Sequence, residues 1–200
     1  MPKIKVAITG GIGSGKSLAA KFLREQNYLV FSCDEIYKDV IQSNEYLSQI
    51  KDCFPSVIID GRVDRAALSK VVFNNEKERE RLNKIAHPMI MKKLLQYMDE
   101  AAGGIVFAEV PLLFEGNFEN LFDKVIYIFR DRQLRIESVI KRDGLSVEEI
   151  GKRIQSQFSP DSEDGKNRLN QNKIVCIENN SSIDELKNKI FSYLKQNVKQ

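Results

Sequence analysis

From Gly10 to Ser17 the chain reads Gly-Gly-Ile-Gly-Ser-Gly-Lys-Ser, which satisfies the spacing Gly-x-x-x-x-Gly-Lys-Ser/Thr. Residues of these types in this order cradle phosphate. Glycines accept backbone angles that other residues resist and put no side chain in the way, so successive N–H groups converge on an anion. Gly11, Ile12, Gly13, Ser14 and Gly15 provide that backbone. Lys16 provides a point charge for the β- and γ-phosphates, and the Ser17 hydroxyl a coordination position on magnesium. The chemistry implied is nucleotide binding, with ATP and Mg2+ as the expected ligands. The plainer alternative is a glycine-rich turn that happens to precede a helix.

A phosphate cradle does not decide the reaction, because switches, motors and metabolite kinases all use one. Guanine-nucleotide switches usually add Asp-x-x-Gly and Asn-Lys-x-Asp elements. Neither occurs: no glycine has an aspartate three positions earlier, and Asn83-Lys84, Asn172-Lys173 and Asn188-Lys189 all lack the final aspartate.

Other residues carry the remaining chemistry. Asp34 follows a strand-like run, and a carboxylate there can orient an attacking hydroxyl and accept its proton. The alternative is an acid in the first turn of a helix, with Ser32 and Glu35 forming a capping box. Glu109 ends the apolar run Ile105–Ala108, where it is expected to hold the magnesium shell or to be a solvated strand end. Arg135 and Arg142, seven residues apart, project from nearly one helix face, and Arg153 follows on the next helical pattern. These cations either close over a transferring phosphoryl group, with Arg142 and Arg153 favoured, or form a solvated charged face. His87 is the only histidine and precedes Pro88, a position that suits either a ligand contact or a helix start.

The elements that must position these groups follow from apolar runs. Ile4–Ile8, Ile105–Val110 and Val125–Phe129 have the composition of strands buried on both faces, and Tyr28–Phe31 and Ile174–Ile177 are two further strand candidates. Helical patterns separate them, which predicts an α/β fold with a parallel sheet and helices on both faces. Short right-handed connections predict that the first two strands are neighbours, which would set Asp34 beside the phosphate loop. Arg65–Phe73 and Glu76–Glu100 read as helices, the second interrupted near Pro88. Ser146-Val147-Glu148-Glu149 and Ser182-Ile183-Asp184-Glu185 fit capping boxes, and Ser159–Gly165 has the composition of a mobile surface loop.

Composition bounds the partners. The 200 residues suffice for one substantial core, and 31 basic against 28 acidic residues create no field that would draw the chain onto nucleic acid. Cys33, Cys53 and Cys176 show no Cys-x-x-Cys spacing, so neither a disulfide framework nor a zinc site is expected. The N-terminus runs directly into a strand pattern, and no apolar stretch reaches the roughly 18 residues that a membrane span needs. These features predict a cytoplasmic protein without a signal peptide. They name no protein partner.

Several separated segments together resemble the bacterial dephospho-CoA kinase family. They are Thr9–Ser17, Asp34-Glu35-Ile36, Asp64–Leu68 with Val72-Phe73, His87-Pro88, Val110-Pro111-Leu112-Leu113-Phe114-Glu115 and Arg142-Asp143-Gly144-Leu145-Ser146. The resemblance implies ATP-dependent phosphorylation of the ribose 3′-hydroxyl of dephospho-CoA, the last step of coenzyme A synthesis. It also implies a P-loop NTPase-type core over 1–34, 104–140 and 168–200, a helical acceptor-binding insert over about 35–103, and a helical lid over about 141–167. On that basis Asp34 is the base, and Arg65, His87, Pro111, Leu112, Leu113 and Glu115 belong to the acceptor side. Arg142, Arg153 and Asn179 would then attend the nucleotide. The chain departs from the family in having Ser32-Cys33-Asp34 for Asp-x-Asp, Arg135 and Ser138 for a glutamine and an arginine, and Val175–Asn179 for a fuller Ala-Asp-x-Val-Ile-x-Asn pattern. Without the resemblance, a kinase of a nucleoside monophosphate or other small alcohol and a nucleotide-binding regulator both remain open.

Overall fold

The computed structural model of the chain describes residues 3–73 and 75–197. The first apolar run becomes strand β1 (Ile4–Thr9), in which Val6, Ala7 and Ile8 have no exposed surface. Helix α1 (Lys16–Glu25) follows, then β2 (Val30–Ser32), α2 (Cys33–Val40) and α3 (Asn44–Cys53). A small hairpin, β3 (Ile58–Ile59) and β4 (Arg62–Val63), precedes α4 (Arg65–Phe73) and α5 (Glu76–Glu100). The chain then returns through β5 (Ile105–Glu109), β6 (Lys124–Phe129), α6 (Arg132–Asp143), α7 (Val147–Gln155), α8 (Glu163–Leu169), β7 (Ile174–Glu178) and α9 (Ile183–Asn197).

Two compact units result, one of residues 1–31 with 101–200 and one of residues 32–100. The first is built on a five-stranded parallel sheet in the order β2-β5-β1-β6-β7. Strand β1 lies between β5 and β6, with Ile8 in register with Glu109 on one side and Ile126 on the other. Ala19, Ala20, Phe22 and Leu23 of α1 and Leu186, Ile190, Tyr193 and Leu194 of α9 pack with Val6, Ile8, Phe107, Ile126 and Ile128 into one core. Each fully buried large apolar side chain there contributes about 1.5–3 kcal/mol. A smaller cluster joins Ile136 and Val139 of α6 to Ile150 of α7, with Ile12 packed against it.

In the second unit α5 packs against α2, α3 and α4. Its buried residues Ile85, Ala86, Met91, Leu94 and Met98 lie on both sides of Pro88.

Four expectations from the sequence are corrected. β5 separates β1 from β2, so the first two strands are not neighbours: the strand that returns from the helical unit enters between them. α5 runs unbroken through Pro88, because apolar packing continues along the helix beyond the one hydrogen bond that proline removes. Ser32 stands at the N-cap of α2 but makes no capping bond, since it is also the buried last residue of a strand that enters the helix without a turn. Part of Ser159–Gly165 is helical: Ser162 accepts from the Gly165 N–H and starts α8, with Glu163 and Asp164 in its first turn.

Candidate active site

Helix α1 starts at Lys16 with Gly15 as its N-cap, in the left-handed region at φ 99°. No side chain caps it and no acid lies in its first turn. The positive dipole of such a terminus suits an external anion. The loop before it closes with Ser14 N–H donating to Gly11 O at 3.1 Å. The Ser14 hydroxyl oxygen is fully buried and meets no hydrogen-bonding partner among the described residues. These features fit the phosphates of a nucleotide.

At the end of the loop the Ser17 hydroxyl donates to Glu109 Oε1 at 2.6 Å. Glu109 is 8% exposed at the end of β5, alongside the strand that delivers the loop. A hydroxyl and a carboxylate in contact are the hard oxygen donors that magnesium takes, with water and phosphate oxygens completing its shell. Among the described residues no three His, Cys, Asp or Glu side chains gather to hold a metal by themselves. A metal at Ser17 and Glu109 would therefore depend on the nucleotide, as magnesium commonly does.

The outer face of the loop is held by the protein. Asn179 is buried and donates through Nδ2 to Ser14 O at 2.8 Å, and a Cβ on Gly15 would overlap that same nitrogen. Asn179, expected at the nucleotide, thus shapes the loop backbone. Arg135 Nε donates to Ile12 O at 2.8 Å, and Gln157 Oε1 accepts from Ile12 N–H at 2.8 Å and from Arg135 Nη2 at 3.3 Å. Burial pulls the Arg135 pKa down from its ordinary value, but a guanidinium keeps its charge in proteins. At the other unusual position, Ser138 accepts from Arg130 Nη1 at 2.7 Å.

Arg142 is exposed at the end of α6 and grips its neighbour Asp143 through Nε and Nη2, both at 2.7 Å. That bond holds Asp143 below the usual carboxylate range, with the charge of Arg153 contributing. Arg153 lies exposed on α7, whose start is the full capping box of Ser146 and Glu149. Arg135, not Arg142, is the α6 arginine that donates to the phosphate loop, whereas Arg142 turns to Asp143.

After β5, Leu113 and Phe114 are buried and Pro111 and Leu112 half-buried. Glu115 Oε1 accepts from the Phe158 N–H at 2.8 Å. The Phe158 ring stacks on Phe114 at 4.2 Å, and the Arg168 guanidinium lies over both rings. Arg168 also donates to Phe114 O and bonds the buried Glu119 at 2.6 Å.

In the helical unit Asp34 is exposed in the first turn of α2, and Arg65 is exposed at the first position of α4. Arg65 lines a cleft of about 240 Å³ together with Tyr37, Tyr46, Leu68, Val72 and Leu82. His87 is half-buried on α5, and burial pulls its pKa below 6.5.

Sequence reasoning missed Gln157 and Phe158 and ranked Arg135 below Arg142. The available signal was an aromatic residue, Phe158, inside an otherwise polar stretch. A glutamine that serves main-chain atoms 145 positions away leaves no spacing to read.

Comparison with known proteins agrees along the chain. The dephospho-CoA kinase family model matches residues 4–185. A Fusobacterium nucleatum protein named dephospho-CoA kinase is 32% identical over 187 residues, covering 92% of this chain and 94% of its own. One of that name from Oceanobacillus iheyensis is 32% identical over 197 residues, covering 96% of both. A crystal structure from Thermus thermophilus superposes with TM-score 0.80 at 29% identity over the whole of both chains. The dephospho-CoA kinase of Campylobacter jejuni superposes with TM-score 0.60 at 25% identity over 97% of both. With an uncapped helix behind a glycine-rich loop, and relatives matched from end to end, the chain belongs to the dephospho-CoA kinase family.

Proposed function

We propose that this chain transfers the γ-phosphoryl group of ATP to the ribose 3′-hydroxyl of dephospho-CoA, giving coenzyme A and ADP in the cytoplasm. The observation that carries the reading is the Ser17–Glu109 hydrogen bond at the mouth of an uncapped helix, in a chain matched by the family over residues 4–185. Main-chain amides of the loop bind the phosphates, and Lys16 offsets their charge. Ser17 and Glu109 would hold magnesium, which when bound neutralises phosphate oxygens. Asp34 orients the attacking hydroxyl and accepts its proton, which requires hydrogen-bond reach more than an unusual pKa. On the acceptor side, Arg65 and the apolar wall of its cleft pair a cation with an apolar surface, a combination suited to a phosphate-bearing molecule with a long aliphatic arm. Arg142 and Arg153 serve as lid cations, with Arg142 exchanging Asp143 for phosphate.

ADP release measured with dephospho-CoA and with a panel of nucleoside monophosphates, sugars and other alcohols tests this. Dephospho-CoA is expected to give much the highest kcat/KM. Preference for another alcohol would reassign the acceptor, and acceptor-independent nucleotide binding with a change in partner affinity would make the chain a regulator.

A further inference from the structure

Two adjacent residues hold the two halves of the proposed reaction. Gln157 uses its carboxamide oxygen to accept from Ile12 N–H, while Arg135 takes Ile12 O and reaches the same carboxamide. Both polar groups of residue 12 are thereby closed into one ring of hydrogen bonds, immediately before Gly13, whose φ is 75°. The fit is tight: a Cβ on Gly11 would overlap Arg135 Nη2, and one on Gly13 would lie 2.6 Å from Arg135 O. The next residue, Phe158, gives its N–H to Glu115 and its ring to Phe114 at 4.2 Å and Tyr127 at 5.9 Å. One peptide bond therefore separates the grip on the phosphate loop from the grip on the segment that follows β5.

Resting on the reaction assigned above, we propose that Gln157 and Phe158 are a positioning pair that couples the phosphate loop to the Pro111–Glu115 segment. A shift in either is passed to the other through a single peptide unit. Neither residue touches a reacting atom in this scheme. Their contribution is to make the donor loop and the acceptor segment adopt their working positions together, which a transfer dependent on close alignment requires.

The test is amide hydrogen exchange at Ile12, read against Ala7 in the middle of β1 as a gauge of the sheet itself. It needs no acceptor, so it remains readable if the assigned substrate is wrong. Gln157→Ala removes the acceptor of the Ile12 N–H and should speed its exchange about tenfold or more relative to Ala7. The deciding variant is Glu115→Ala, because the Glu115 carboxylate accepts from Phe158 N–H and so bears on Ile12 through its neighbour Gln157. It should also speed Ile12 several-fold relative to Ala7, and Glu115→Gln, which keeps a carbonyl oxygen, should restore protection. Phe158→Leu, which keeps the N–H to Glu115 but removes the ring's contacts with Phe114, Tyr127 and Arg168, should act in the same direction. In kinetics, Glu115→Ala should raise KM for ATP as well as for the acceptor. Ile12 exchange that changes no more than Ala7 exchange in both Glu115→Ala and Phe158→Leu overturns the proposal.

Discussion

Ser17 Oγ and Glu109 Oε1 lie 2.6 Å apart, so the residue that ends the phosphate loop and the one that ends β5 meet as a donor and acceptor pair. If this pair holds magnesium, Glu109→Gln keeps the shape and an acceptor oxygen but loses the charge. The magnesium concentration for half-maximal activity should rise about tenfold or more. A magnesium titration at saturating ATP measures it, and an unchanged midpoint would take Glu109 out of the metal site.

Asp34 is exposed in the first turn of α2, where its carboxylate also favours the helix dipole. Asp34→Asn retains hydrogen bonding but cannot accept a proton. The proposed role predicts a fall in kcat of about 10²–10⁴, with ATP affinity preserved. Steady-state kinetics paired with nucleotide titration separates these effects, and near-normal kcat would remove Asp34 from the mechanism.

Arg168 bonds a glutamate of which only 7% of the side chain is exposed, and also serves Phe114 O. Arg168→Ala would strand the Glu119 charge in a buried site. Urea unfolding should show a loss of about 3–5 kcal/mol, as expected when one partner of a buried pair is removed. A double variant that also replaces Glu119 with a neutral residue of similar size should recover part of it.

His87 imposes a sign on the pH dependence. Burial lowers its folded-state pKa below 6.5, so as pH falls through 6.5 the unfolded chain takes up a proton that the folded chain resists. Stability therefore declines on the acid side of that value, until the folded-state pKa is also passed. In urea midpoints taken at about pH 7.5 and about pH 5.5, His87→Gln should lose less on acidification than the parent chain. Equal losses would show that other groups govern the acid side.

The legible parts of this protein were those with a short-range physical signature. The loop from Gly10 to Ser17 shows itself because only certain residues can bend main chain around an anion, and the buried strands because their apolar runs are nearly continuous. Ser146 and Glu149 met as their spacing required. Long-range partnerships were hidden. The strand order depends on where the chain re-enters after the helical unit, which local pattern does not encode. Arg135 and Arg142 share a helix and a spacing, yet one reaches the phosphate loop while the other turns to the adjacent Asp143. The hairpin at Ile58–Val63 did carry a signal, Asp60-Gly61 with both residues at positive φ, in strands too short to reveal themselves.

Because β1 is bonded to a neighbour along both edges, the hollow at its tip is rooted in the part of the sheet with the most companions. Gentle denaturation should fray outlying segments while that root still stands. The nucleotide grip would then be among the last properties the protein surrenders, and bound ATP a brace for the middle of the molecule rather than for its margins.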